Sequence, residues 1–96
     1  MPERWPGAVR LASPDHTAAC LRSLLAQRGV HGVLTTRAEG MAMVSAPCGI
    51  NVTVERAALC HRSMDGRWVR RPLTDLVDLA EHVVRRSEAL EIRPRR

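Results

Sequence analysis

Apolar and polar residues alternate without interruption from Ile50 to Glu55, in the order Ile-Asn-Val-Thr-Val-Glu. A period of two places successive side chains on opposite faces of an extended chain, so one face can be buried while the other contacts water. The three apolar residues are β-branched, which suits a pleated sheet. The pattern predicts a half-buried central strand, with a helix and a hairpin before it and a second hairpin and helix after it.

Two other segments have the spacing of amphipathic helices. Ser13 is a typical N-cap, Pro14 suits the first helical position and Gly29 suits a C-terminal cap, which together predict a helix over 14–28. The segment 74–89 has acidic residues early and arginines late, as the helix dipole favours. The stripe of the first helix is Ala18, Leu21, Leu24 and Leu25, and that of the second is Leu73, Leu76, Val77, Ala80, Val83 and Val84.

The rest of the chain is predicted to form strands and turns. Asp65-Gly66 is a strong signal for a two-residue hairpin turn. Residues 8–12 also alternate and predict a short N-terminal edge strand, while 1–7 and 92–96 are expected to be poorly ordered. Besides 50–55, the predicted strands cover 32–36, 41–45, 57–62 and 67–71.

The order of these elements predicts the fold. We expect an α+β fold with an α-β-β-β(-β-β)-α order, in which an antiparallel sheet carries both helices on one face as a two-layer sandwich. No long linker divides the 96 residues, so 1–96 is expected to form a single domain. The second face of the sheet would be exposed to solvent or would contact a partner. The predicted shared core comprises Leu21, Leu25, Leu76, Ala80 and Val83.

Composition restricts the classes of partner. The chain has 15 arginines, no lysine and 10 acidic residues, for a formal charge of +5. Three arginines lie within 93–96, and the remaining balance of +2 is weak evidence for a polyanionic partner. No segment approaches the roughly 20 apolar residues that cross a bilayer, and no signal peptide is recognised. We expect a cytoplasmic protein without membrane contact, and free thiols at Cys20, Cys48 and Cys60.

The sequence contains no strong catalytic, metal or cofactor motif. Cys60 and His61, with Cys48, come nearest to a metal site, but neighbours on a strand point to opposite faces. Cys20 and His16 lie one helical turn apart, which permits contact, yet no third group orients them. Glycine-rich phosphate-binding loops are also missing from the sequence. We therefore expect no catalytic residues, no metal and no cofactor.

One candidate interaction patch is predicted in the last hairpin. If Asp65-Gly66 forms a two-residue turn, Leu59 and Trp68 share the buried face of the hairpin. Three arginines then share the outer face, where they could bind a partner. A solvated basic face, or an edge protected against sheet pairing, is the simpler interpretation. The patch consists of Arg62, Arg67 and Arg71.

The segments 21–30, 49–52 and 83–86 resemble short Arg-rich α/β proteins of unassigned function from high-GC Gram-positive bacteria. This resemblance implies the fold and no activity. The order of elements also resembles the topology of double-stranded RNA-binding domains. In that family the last helix begins with basic residues that hold phosphates, whereas Asp75 and Asp78 of this chain would repel them.

Two functions from different classes remain. The first is a small non-catalytic binding or regulatory module that acts through an exposed sheet face or edge, with an unknown protein partner or a second copy in a homodimer. The alternative is a nucleic-acid-associated protein that uses the three-arginine patch and the basic tail. Nucleic acid is the less favoured partner, and an enzyme ranks third.

Overall fold

The computed structural model describes residues 13–63 and 65–90. The predictions for 1–7, 8–12 and 92–96 lie outside these residues. The elements follow one another as α1 (Pro14–Gln27), β1 (Leu34–Ala38), β2 (Met41–Ser45), β3 (Asn51–Val54), β4 (Ala58–Arg62), β5 (Trp68–Pro72), a 3₁₀ turn (Leu73–Asp75) and α2 (Leu76–Ala89).

The five strands form one antiparallel sheet in which each strand pairs with its neighbours in sequence, in the order β1-β2-β3-β4-β5. Sequential antiparallel pairing needs only short connections, which the turn signals between the strands provide. The predicted α+β fold, with a helix before the sheet and a helix after it, is confirmed. The central strand predicted from the alternation at 50–55 is β3.

The helix ends follow from local chemistry. The Ser13 hydroxyl accepts a hydrogen bond from the backbone N–H of His16, at 3.1 Å, and Pro14 begins α1. After Gln27 the chain leaves the helix through Gly29, whose φ of +86° is the left-handed conformation that glycine adopts without strain. Pro72 ends the sheet, and the chain turns directly into the 3₁₀ turn and α2. Both predicted helices are confirmed to within a few residues.

Both helices pack on the same face of the sheet and share one core. The prediction of buried positions is confirmed for Leu21, Leu25, Ala80 and Val83, while Leu76 is partly buried at the edge of the core. Burial of this aliphatic surface is the main favourable contribution to folding. Opposite the helices, the sheet contributes Ala42, Val44, Val52, Val54 and Leu59 to the core.

The predicted register of the last hairpin is wrong by one residue. Arg62 pairs with Trp68 and Leu59 with Arg71, because the turn is longer than two residues. Ser63 N–H donates to Arg67 O at 2.7 Å, and Gly66, with φ of +88°, occupies the left-handed position of a three-residue loop. A shift of one residue exchanges the two faces of a strand. Trp68 is therefore on the open face, and Arg71 faces the helices.

Candidate functional site

The face of the sheet that the helices leave uncovered is the candidate functional site, and we call it the open sheet face. Its central row crosses all five strands, and the next row runs from Leu34 in β1 to Trp68 in β5. Along each strand, the side chains that alternate with those of the open sheet face point toward the helices and the core. The central row consists of Thr36, Met43, Thr53, Cys60 and Arg70.

Exposed apolar side chains concentrate on the open sheet face. Among the described residues, six large apolar side chains are exposed, and four of them lie on this face. Soluble proteins usually leave such residues scattered, so their concentration on one surface marks an interaction site. The four are Leu34, with 68% of its surface exposed, Trp68 with 61%, Met43 with 40% and Met41 with 36%.

Charged groups hold the β5 side of this face in a defined arrangement. The Arg62 guanidinium lies 5.0 Å from the centre of the Trp68 ring, in a cation–π contact, and donates to Gly66 O at 2.6 Å. Arg70 donates to a carboxylate oxygen of Glu55 at 3.0 Å. The Trp68 indole is thus exposed but held in one orientation, as expected of an aromatic residue that anchors a protein interface.

The structure does not bring the predicted patch together. Arg62 lies on the open sheet face, whereas Arg71 is half-buried on the helix side, where its Nε donates to His61 Nε2 at 3.0 Å. Arg67 is an exposed loop residue, 3.8 Å from the carboxylate of Asp65. The shared face predicted for Arg62, Arg67 and Arg71 is wrong because the hairpin register differs by one residue.

The methionines of β2 also belong to the open sheet face, although no predicted site included them. The segment Met41-Ala42-Met43-Val44 is apolar at every position, which differs from the alternation of a strand with one wet face. In the structure Ala42 and Val44 are buried, while Met41 and Met43 are exposed on the other side. An uninterrupted apolar run in a strand of an antiparallel sheet was the available signal for a second contact surface.

The cysteine pairs weighed for chemistry occupy separate places. Cys60 is on the open sheet face and His61 is buried on the helix side, so the two side chains point apart. Cys20 Sγ comes within 3.7 Å of His16 Nε2 on α1. Residues 13–63 and 65–90 contain no cluster of three metal-ligating side chains. In the same part of the chain, neither helix has the length and apolar character that a membrane span requires.

Comparison of the chain with protein-family models, with curated proteins and with solved structures finds no match. The open sheet face carries four of the six exposed large apolar side chains among the described residues, and one of them is an anchored aromatic ring.

Proposed function

We propose that this domain is a small non-catalytic module that self-associates through the open sheet face. The observation that carries the proposal is the concentration of Leu34, Met41, Met43 and Trp68 on one side of the sheet. Two sheets that pack face to face lie about 10 Å apart and interdigitate such side chains. Packing against a second copy would remove the exposed apolar surface from water.

The arrangement of side chains across the sheet favours a second copy as the partner. A two-fold axis parallel to the strands, lying between the two sheets and above β3, places β1 of one copy over β5 of the other. Leu34 then lies over the partner's Trp68, and Met43 lies over the partner's Cys60. Arg70 meets the partner's Thr36, so the arginines of the two copies do not face each other. Each of these apolar groups thus has an uncharged counterpart, while Glu55, which lies near the axis, is neutralised by its ion pair with Arg70.

The size of the face sets the expected strength of the dimer. Five strands spaced about 4.8 Å apart, with at most five residues each at about 3.4 Å, give a face of about 20 by 17 Å. Such an area is smaller than that of a standard interface, which buries about 800 Å² per partner. We therefore expect a reversible dimer with a dissociation constant on the order of 10⁻⁶ M, rather than an obligate one.

Sedimentation equilibrium over a range of concentrations tests the proposal. The wild-type chain should shift from monomer to dimer as its concentration rises. The variant Met43→Arg places a charge at the centre of the face and should weaken the dimer at least about tenfold, because an unpaired charge is costly to bury. Val77→Arg is the control, since Val77 is also an exposed apolar residue, 64% exposed, but lies on α2.

Circular dichroism of each variant establishes that it is folded. A wild-type chain that remains monomeric at every concentration would contradict the proposal. So would a dimer that Val77→Arg disrupts and Met43→Arg does not, since the contact would then involve α2. The nucleic-acid alternative gains no support from the geometry, because Arg62, Arg67 and Arg71 do not share a surface.

A further inference from the structure

A cavity of about 270 Å³ opens where the β2–β3 turn, the β4–β5 hairpin and α2 meet. Its β2–β3 wall is formed by neutral residues around Gly49. Two of its lining residues, Ser63 and His82, also line an adjoining cavity that includes His61 and Arg71. The polar and aromatic residues that line the main cavity are Asn51, Arg62, Ser63, Trp68, His82 and Arg86.

The electrostatic character of this cavity is positive. Two of its lining residues are arginines, and no carboxylate from residues 13–63 or 65–90 lines it. Within the same residues, neither Arg62 nor Arg86 forms an ion pair with a carboxylate. Partial burial, followed by repulsion from His61, Arg71 and Arg86, lowers the pKa of His82. An anion would compensate the charge that these side chains concentrate here.

Secondary structure positions the groups. His82 and Arg86 are four residues apart on α2, which places them on one side of the helix. Ser63 directly follows β4, and its backbone N–H is held by Arg67 O, which orients the start of the hairpin loop. Arg62 lies against the Trp68 ring. The cavity thus joins two guanidinium groups, a hydroxyl and an aromatic side chain from three separate elements.

We propose that this cavity binds the phosphate group of a small phosphorylated molecule. Guanidinium groups match the geometry of phosphate oxygens and can bind them in pairs of hydrogen bonds. Asn51 supplies a neutral donor, whereas the Ser63 hydroxyl donates to the carboxylate of Asp65. Trp68 offers an apolar surface for the remainder of the ligand. The volume is near the lower end of about 300–1,000 Å³ for small-molecule sites, which suits a metabolite rather than a polymer. The cavity shares Arg62 and Trp68 with the open sheet face, so a second copy on that face would cover the Trp68 ring.

NMR titration with inorganic phosphate, phenyl phosphate and benzoate, all at constant ionic strength, tests this proposal. We expect saturable shifts of the backbone amides of Asn51, Ser63 and Arg86 with both phosphates, and tighter binding of phenyl phosphate because its ring can contact Trp68. The variant Arg86→Gln should lower phosphate affinity about tenfold, as expected for loss of a charge-assisted hydrogen bond. Arg85→Gln is the control, because Arg85 lies on the same helix and pairs with Glu81 at 3.6 Å.

Three results would overturn the proposal. The first is a set of shifts that do not saturate, or that chloride reproduces. The second is equal loss of affinity in Arg86→Gln and Arg85→Gln, which would indicate only a general charge effect. The third is benzoate binding as strongly as phenyl phosphate, which would exclude a preference for phosphate. All titrations are made in the Met43→Arg background, in which no second copy covers Trp68, so the presence or absence of a wild-type dimer leaves the expected phosphate result unchanged.

Discussion

Arg71 donates a hydrogen bond from Nε to Nε2 of His61, and these two atoms are 3.0 Å apart. His61 is only 2% exposed, so its ring nitrogens need partners within the protein. Because a guanidinium group can only donate, Nε2 must accept, and the imidazole proton lies on Nδ1, 3.1 Å from Arg62 O. Arg71 also lies 3.5 Å from Asp75 Oδ2. One arginine thus links β4, β5 and the turn that leads into α2.

Replacement of Arg71 should destabilise the fold. Arg71→Met leaves the buried Nε2 of His61 without a donor, and we expect a loss of about 1–3 kcal/mol in the free energy of unfolding. Arg67→Met is the control, because the side chain of Arg67 is 80% exposed and should contribute within about 0.5 kcal/mol. Urea denaturation measures both. Equal stability of Arg71→Met and the wild type would show that the contact with His61 is dispensable.

Truncation of Leu25 should reveal how strongly α1 is held to the sheet. Leu25 is fully buried, and Leu25→Ala should cost about 2–5 kcal/mol through lost apolar contact and the resulting cavity. Leu34→Ala makes the same chemical change at a position that is 68% exposed, so it should leave monomer stability nearly unchanged. Thermal melts at low protein concentration compare the two. If Leu25→Ala melted like Leu34→Ala, α1 would not contribute to the core.

The free energy of unfolding should decrease as the pH decreases through the range where His82 titrates. Burial and neighbouring cations lower the pKa of His82 from its ordinary value of 6.5, so the unfolded chain binds this proton more tightly than the folded protein does. The contribution is therefore fully present above pH 6.5 and is lost as the pH decreases through 6.5 toward the lowered value. Asp65 is the acidic residue that lines the adjoining cavity with His82.

Melts of the wild type and of His82→Asn, in buffers without phosphate, measure this contribution. The variant should lose less stability than the wild type between neutral and mildly acidic pH. His31→Asn serves as the control, because His31 is exposed outside this cluster. Identical pH dependence of the wild type and His82→Asn would exclude His82 as a source of acid sensitivity.

Binding to nucleic acid should be weak. A body with few excess positive charges and an acidic start of α2 should give dissociation constants no tighter than about 10⁻⁶ M near 150 mM salt. Fluorescence anisotropy with duplex DNA and RNA at two salt concentrations measures this. The informative variant combines Arg62→Ala, Arg67→Ala and Arg70→Ala and retains Arg71, which holds His61. Nanomolar affinity that this variant weakens would favour a nucleic-acid-associated function.

Local signals determined most of the secondary structure. Ser13 sets the start of α1 through a hydrogen bond with the nearby His16, and Gly29 sets its end through its own backbone conformation. The strand 41–45 was predicted at its observed bounds, and the alternation around Val52 and Val54 determined which side of β3 is buried. These features depend on neighbours along the chain, so the sequence alone contains the information that sets them.

The candidate site depended on one turn whose length only the tertiary structure decided. Asp65-Gly66 is compatible with a two-residue turn or with a longer loop that ends in Gly66, and the two registers place opposite faces of β5 toward the helices. The observed register places Val69 and Arg71 on the helix side, where Arg71 satisfies the buried His61. Trp68 then joins Met41 and Met43 outside. Contacts between distant segments distinguish these registers, because the local turn energies favour neither strongly enough to exclude the other.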